Sequence, residues 1–244
     1  MAMQKLTTYS VWDRTTRIFH WVNFLTVLSL IGVGLVIFNA KSMGISTEGK
    51  ILLKTIHVYA GYIFALNLFW RIVWAFIGGT YSRWHAILPG GKGYKKALLE
   101  YLQEKRTSYL GHNPVGRIAV TILLVTLFVQ AITGLVLAGT DIYFPPFGSA
   151  IAEWVAAPGT DPASLVPYAK EMVDAEAYAE MREFRSFFIK THIAAFYTLL
   201  VLIVLHIAAV IRSEIKHGGT IISAMFTGKK AFSQEPADKE GLES

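Results

Sequence analysis

The sequence predicts an all-α integral membrane protein: a four-helix bundle with both termini cytoplasmic and one long connection on the opposite face. Three observations carry this. Of the 244 residues, 53% are hydrophobic and only 16% charged, against about 25% charged in soluble domains. Residues 18–38, 118–140 and 191–211 contain no Asp, Glu, Lys or Arg, and a fourth run, 55–78, is broken only by Arg71. Each run reaches the roughly 20 residues that cross about 30 Å of hydrocarbon. Lys and Arg then alternate along the segments: three in 1–17, seven in 79–117 and five in 212–244, against three in 41–54 and four in 141–190. Short cytoplasmic loops carry the positive excess, so this count sets the orientation.

Composition excludes several chemistries. Without cysteine there is no disulfide framework, thiolate zinc site, Cys-ligated iron–sulfur cluster or covalently attached c-type haem. The formal charge of +6 sits beside the apolar runs rather than along one face, so it fits membrane lipid and not nucleic acid.

The first span, 18–38, follows Lys5, Arg14 and Arg17. It exceeds the usual 7 to 15 residue signal core, no Ala-x-Ala pattern follows Phe38, and it stays as helix one. After the second span, 55–78, Lys92 to Arg106 sets Tyr94, Leu98 and Tyr101 at helical spacing among lysines, as an interfacial helix requires. The third span, 118–140, leads into 141–190, which holds eight acidic residues. Its first part, to Pro167, is rich in Pro, Gly and aromatics, whereas Tyr168 to Lys190 reads as a charged helix. So long a connection in a small bundle points to a docking role. The fourth span, 191–211, completes a membrane domain over 1–230, and 231–244 reads as a disordered cytoplasmic tail.

Seven histidines are present, of which His85, His112 and His217 lie outside the spans. His20, His57, His192 and His206 lie inside predicted helices, where ionisable residues are functional candidates. His192 and His206 are 14 residues apart; at about 100° and 1.5 Å per residue they leave one helix face about 21 Å apart in depth. His20 opens helix one at the cytoplasmic end, level with His206, and His57 opens helix two at the outer end, level with His192. Two facing pairs of imidazoles suit two haems with both axial positions filled. Interhelical hydrogen bonding without a cofactor or a metal pathway are the alternatives, although the spans contain no carboxylate to support the latter.

The same interval separates His20 from Gly34 and His57 from Arg71. Gly34, and Gly61 one turn after His57, would leave room for a porphyrin. Arg71 would pair with a propionate or snorkel to the headgroups, and Arg17 or Arg212 would serve nearer the surface. Gly32, Gly34, Ala131 and Gly134 would also serve helix packing. Before the third span, His112 and Asn113 are placed to meet a quinone headgroup beside the inner haem, though Asn113-Pro114 is also an ordinary helix start.

These residues resemble the b-type cytochrome subunits of membrane-bound nickel–iron hydrogenases, within the wider dihaem cytochrome b561 and formate dehydrogenase gamma-subunit group. The resemblance is carried by Tyr9 to Trp21, Ile56 to Gly61, Arg71 to Gly78, Tyr81 to Arg83, Gly111 to Pro114, His192, His206 and Thr220 to Gly228. It implies a multi-pass subunit of the bacterial inner membrane, part of an oxidoreductase complex. Its two haem b groups would have His57 and His192 as outer and His20 and His206 as inner axial ligands to iron. Electrons would pass between a periplasmic redox protein docked on 141–190 and the quinone pool, with Asn113 where a relative places quinone contacts. Because 141–190 is longer than in the hydrogenase subunits known to resemble it, the partner is either hydrogenase-like or a c-type cytochrome. A membrane anchor, or a partner-independent quinol-oxidising cytochrome b561, are the other functions this group allows.

Overall fold

The computed structural model describes residues 6–217 and 220–239. Four helices are long and apolar enough to span a membrane: α1 (Arg14–Phe38), α2 (Thr47–Ile77), α5 (Pro114–Ile142) and α7 (Ala175–His217). The chain also forms four short helices, α3 (Trp84–Ile87), α4 (Tyr94–Leu102), α6 (Gly148–Val155) and, after α7, α8 (Ile221–Thr227), and an antiparallel ribbon that pairs β1 (Thr7–Ser10), before α1, with β2 (Lys229–Phe232), after α8. The four spans of the sequence reading are thus present with longer bounds, and the helix expected within 92–106 is present as the shorter α4. The largest difference is α7, whose 43 residues join the charged segment after 174 to the fourth span without a break. No Pro or Gly interrupts 175–217, and nothing else ends a helix there.

Within the apolar windows of these helices only 6% to 22% of residues are buried. Leu25, Leu66, Phe69, Val125, Val201, Val204 and Leu205 are among the large side chains left exposed. Soluble monomers do not present such surface; hydrocarbon does not penalise it. The protein is a multi-pass membrane protein.

Helix starts are fixed by side-chain oxygens that accept otherwise unsatisfied N–H groups. Ser46 accepts from Gly49 before α2, Asn113 from Gly116 before α5, and Asp174 from Glu176 and Ala177 before α7. Pro114 occupies the first position of α5, where its missing N–H does no harm.

Two compact units divide the chain. The first comprises 1–21, 68–125 and 199–244, and the second 22–67 and 126–198. In the first, Val11, Trp12, Tyr81, Leu110 and Ala224 form an apolar core beneath the ribbon. Asp13 caps α1 by accepting from the Thr16 N–H at 2.7 Å, and also accepts from Ser82 at 2.7 Å and from the Trp74 indole at 3.1 Å. Burial raises its pKa, but these hydrogen bonds outweigh burial and hold the carboxyl below its ordinary 3.8. A depressed carboxylate stabilises the fold above its unfolded pKa and loses that contribution as pH falls. Asp13→Asn is therefore expected to reduce the loss of thermal stability seen on acidification below about pH 4, measured by unfolding scans in detergent.

The chain beyond 230 differs from the expected disordered tail. Lys230 is 6% exposed and donates to the carbonyls of Leu110 and Gly111 at 2.7 and 3.1 Å. Asp238 accepts from the N–H groups of the same two residues at 2.6 and 2.8 Å. The C-terminal segment thus supplies partners for the Leu110 and Gly111 backbone groups. Residues 240–244 lie outside the described residues.

In the second unit, Ile151, Val155 and Met181 pack α6 against the start of α7. Asp141, at the end of α5, accepts from Lys54 of α2 at 2.6 Å and from the Arg185 guanidinium of α7. One carboxylate thus joins three helices.

Candidate functional site

His57 on α2 and His192 on α7 face each other in the second unit, with ring centroids 6.5 Å apart and planes inclined by 71°. Two imidazoles each bonded at about 2 Å to one metal ion would set their centroids roughly 6 Å apart, so this spacing fits a single ion between them. The rings stand against glycines: a Cβ on Gly34 would meet His57 Cε1 at 3.3 Å, and one on Gly134 would meet His192 Cε1 at 3.5 Å. Gly134, read from sequence as a packing residue, is therefore the counterpart of Gly34 for the opposite imidazole. A Cβ on Gly61 would meet nothing within 4 Å among the described residues. Thr133, which the sequence did not single out, places its hydroxyl 2.8 Å from His192 Nδ1. A threonine in a span has no distinguishing pattern, and only the fold reveals it.

His20 and His206 belong to the first unit, where their imidazoles interact electrostatically. His20 meets Trp21 edge to face at 5.3 Å, and its Nδ1 is buried without a partner. The Trp21 indole donates to the Met225 carbonyl at 3.0 Å and so anchors this end of α1 to α8. Arg71 is 6% exposed, lies 5.7 Å over the Phe19 ring, and one of its guanidinium nitrogens is buried without a partner. It does not snorkel: Asp13 is a carboxylate that acts on its charge, and the unpartnered nitrogen leaves it able to take a further anion. Arg17 donates to the Phe226 carbonyl and keeps Nε buried and unpartnered.

His112 enters the same unit. Its ring lies 5.1 Å from that of Trp12, and its Nδ1 is buried without a partner. Burial, reinforced by the charges of Lys230 and Arg71, pushes its pKa down to about 3, so the ring is neutral near pH 7. Nearby, burial lifts the Tyr81 phenol to about 12, and its hydroxyl also lacks a partner. Asn113 is committed elsewhere: its oxygen caps α5 at 2.6 Å and its amide donates to the Tyr101 hydroxyl at 3.0 Å. Asn113→Ala is expected to lower stability by about 1 kcal/mol, and Asn113→Asp to restore most of it, in thermal scans at one protein and detergent concentration.

The donor chemistry narrows the group these histidines would hold. Among the described residues no cluster of three or more His, Asp or Glu could hold a bare ion. Pairs of imidazoles, with adjacent glycines and an arginine that keeps one nitrogen unpartnered, match a haem, whose porphyrin would supply the other ligands and whose propionates need cations. The profile of the prokaryotic cytochrome b561 family matches residues 11–228. The chain belongs to that family. Its relatives include a "probable Ni/Fe-hydrogenase B-type cytochrome subunit" from Rhizobium leguminosarum bv. viciae, 27% identical over 95% of this chain and 92% of the relative. A protein of the same name from Azotobacter vinelandii is 24% identical over 97% and 94%. The corresponding hydrogenase 1 subunit of Escherichia coli (strain K12) is 31% identical over 45% of this chain and 51% of its own length. No solved structure matches significantly. This prokaryotic cytochrome b561 is a membrane b-type cytochrome of electron transfer, and the b-type cytochromes carry haem b. The resemblance read from the sequence to hydrogenase cytochrome subunits is borne out by these relatives.

Proposed function

We propose that this cytochrome carries two haem b groups, one held by His57 and His192 and the other by His20 and His206, and passes electrons between a periplasmic hydrogenase and the quinone pool. The observation that supports this best is the 6.5 Å spacing of the His57 and His192 rings, with glycines at 34 and 134 beside them. A haem held by two imidazoles would supply one-electron transfer.

The chain's own residues do the rest. The histidines would hold the two haems at their depths, the glycines at 34 and 134 would leave a porphyrin space, and Arg71 would offer a buried charge to a propionate at the His20 and His206 pair. His112, neutral and with a ring nitrogen that lacks a partner, can hydrogen-bond a quinone carbonyl. Asn113 is left to cap its helix. Lys and Arg counts favour cytoplasmic termini, so the docking face is 141–190, held to the helices by Asp141. Hydrogenase is favoured over a c-type cytochrome because relatives named for it match over at least 95% of this chain.

A dithionite-reduced minus oxidised spectrum of the purified protein, with haem measured as the pyridine haemochrome, tests the proposal. About two b haems per chain is the expected result. One or none, in a folded preparation made with adequate haem supply, would overturn it.

A further inference from the structure

Resting on His57 and His192 as an axial pair, we propose that Thr133 is a positioning residue that fixes which nitrogen of His192 faces the metal and strengthens it as a ligand. Thr133 is 4% exposed, and its Oγ1 stands 2.8 Å from His192 Nδ1. The hydroxyl has one hydrogen, and the Val129 carbonyl on its own helix accepts it at 2.7 Å. A lone pair of Oγ1 therefore faces the imidazole, so Nδ1 carries the ring hydrogen and donates it. Nε2 keeps its lone pair free for iron. The opposite hydrogen-bond direction would put the hydrogen on Nε2 and block ligation.

Gly134 supports the arrangement. A Cβ there would lie 3.5 Å from His192 Cε1, in ordinary van der Waals contact, so the ring rests beside the α5 backbone one residue from Thr133. The facing ligand is held differently, since His57 Nδ1 is buried without a partner. The pair is thus asymmetric: α5 orients one imidazole and leaves the other to its helix. A hydrogen bond from the outer nitrogen raises the basicity of the ligating one and stabilises the ferric state.

Thr133→Val, Thr133→Ser and His192→Ala, each made in the full chain, test this together with the wild type. The readouts are haem per chain, the low-spin ferric EPR signals, the redox titration of each haem, and the rate of haem loss to apomyoglobin. Thr133→Val nearly preserves shape, and the haem of the other pair reports whether the bundle has folded. We expect this variant to keep the other haem, lose affinity at the His57 and His192 site by about 10- to 100-fold, shift that site's EPR signal, and raise its potential. Thr133→Ser should match the wild type. Wild-type values throughout in Thr133→Val, or equal damage in Thr133→Ser, would overturn the role of the hydroxyl while the axial assignment stood. Retention of both haems in His192→Ala would overturn the axial assignment and the positioning role with it.

Discussion

His57→Ala and His192→Ala are each expected to lower haem b from about two per chain to about one, and His20→Ala and His206→Ala to remove the other haem. Loss of an outer-shell hydrogen bond alone weakens metal sites about 10- to 100-fold; loss of the ligand itself should leave the group to dissociate during purification. The pairing makes a sharper forecast. His57→Ala combined with His192→Ala should lose no more haem than either alone, whereas His57→Ala combined with His206→Ala should retain none. The pyridine haemochrome on purified protein reads all of these. Retention of half the haem in the mixed pair would show that the histidines are wrongly matched.

Asp141→Ala should lower stability by about 3 kcal/mol, the lower end of the range for breaking a buried charge network. The Asp141, Lys54 and Arg185 side chains are 15%, 18% and 27% exposed, so water screens them in part. Removing the carboxylate leaves two cations from α2 and α7 facing each other with no anion between. Lys54→Met in the same chain should recover part of the loss, because it removes one of those charges. Lys54 also lies 5.1 Å from the Tyr168 ring, so the variant should loosen the 141–190 connection and weaken retention of a docked partner. Thermal unfolding in detergent and co-purification of the partner measure the two effects; an unchanged midpoint would sink the first.

The legible parts of this protein are those that depend on composition and period. Charge-free runs declare membrane helices because hydrocarbon admits little else, and the 14-residue interval between His192 and His206 gives their shared helix face and relative depth without a structure. Gly34 was legible by the same arithmetic. Helix ends were not: α7 runs on to Ala175 because a charged segment outside the bilayer carries no mark of continuity with the apolar one.

What only the tertiary structure decided are the partners of polar groups. Asn113 is one of several residue types that can cap a helix or meet a ligand, and only the Gly116 N–H and the Tyr101 hydroxyl show which it does. Gly134 and Thr133 come to His192, and Asp238 to the Leu110 and Gly111 amides, across long stretches of chain. Local sequence holds no trace of such pairings. A membrane span is specified by its own residues, through transfer into hydrocarbon, whereas a hydrogen bond between distant residues is specified by the fold that brings them within 3 Å.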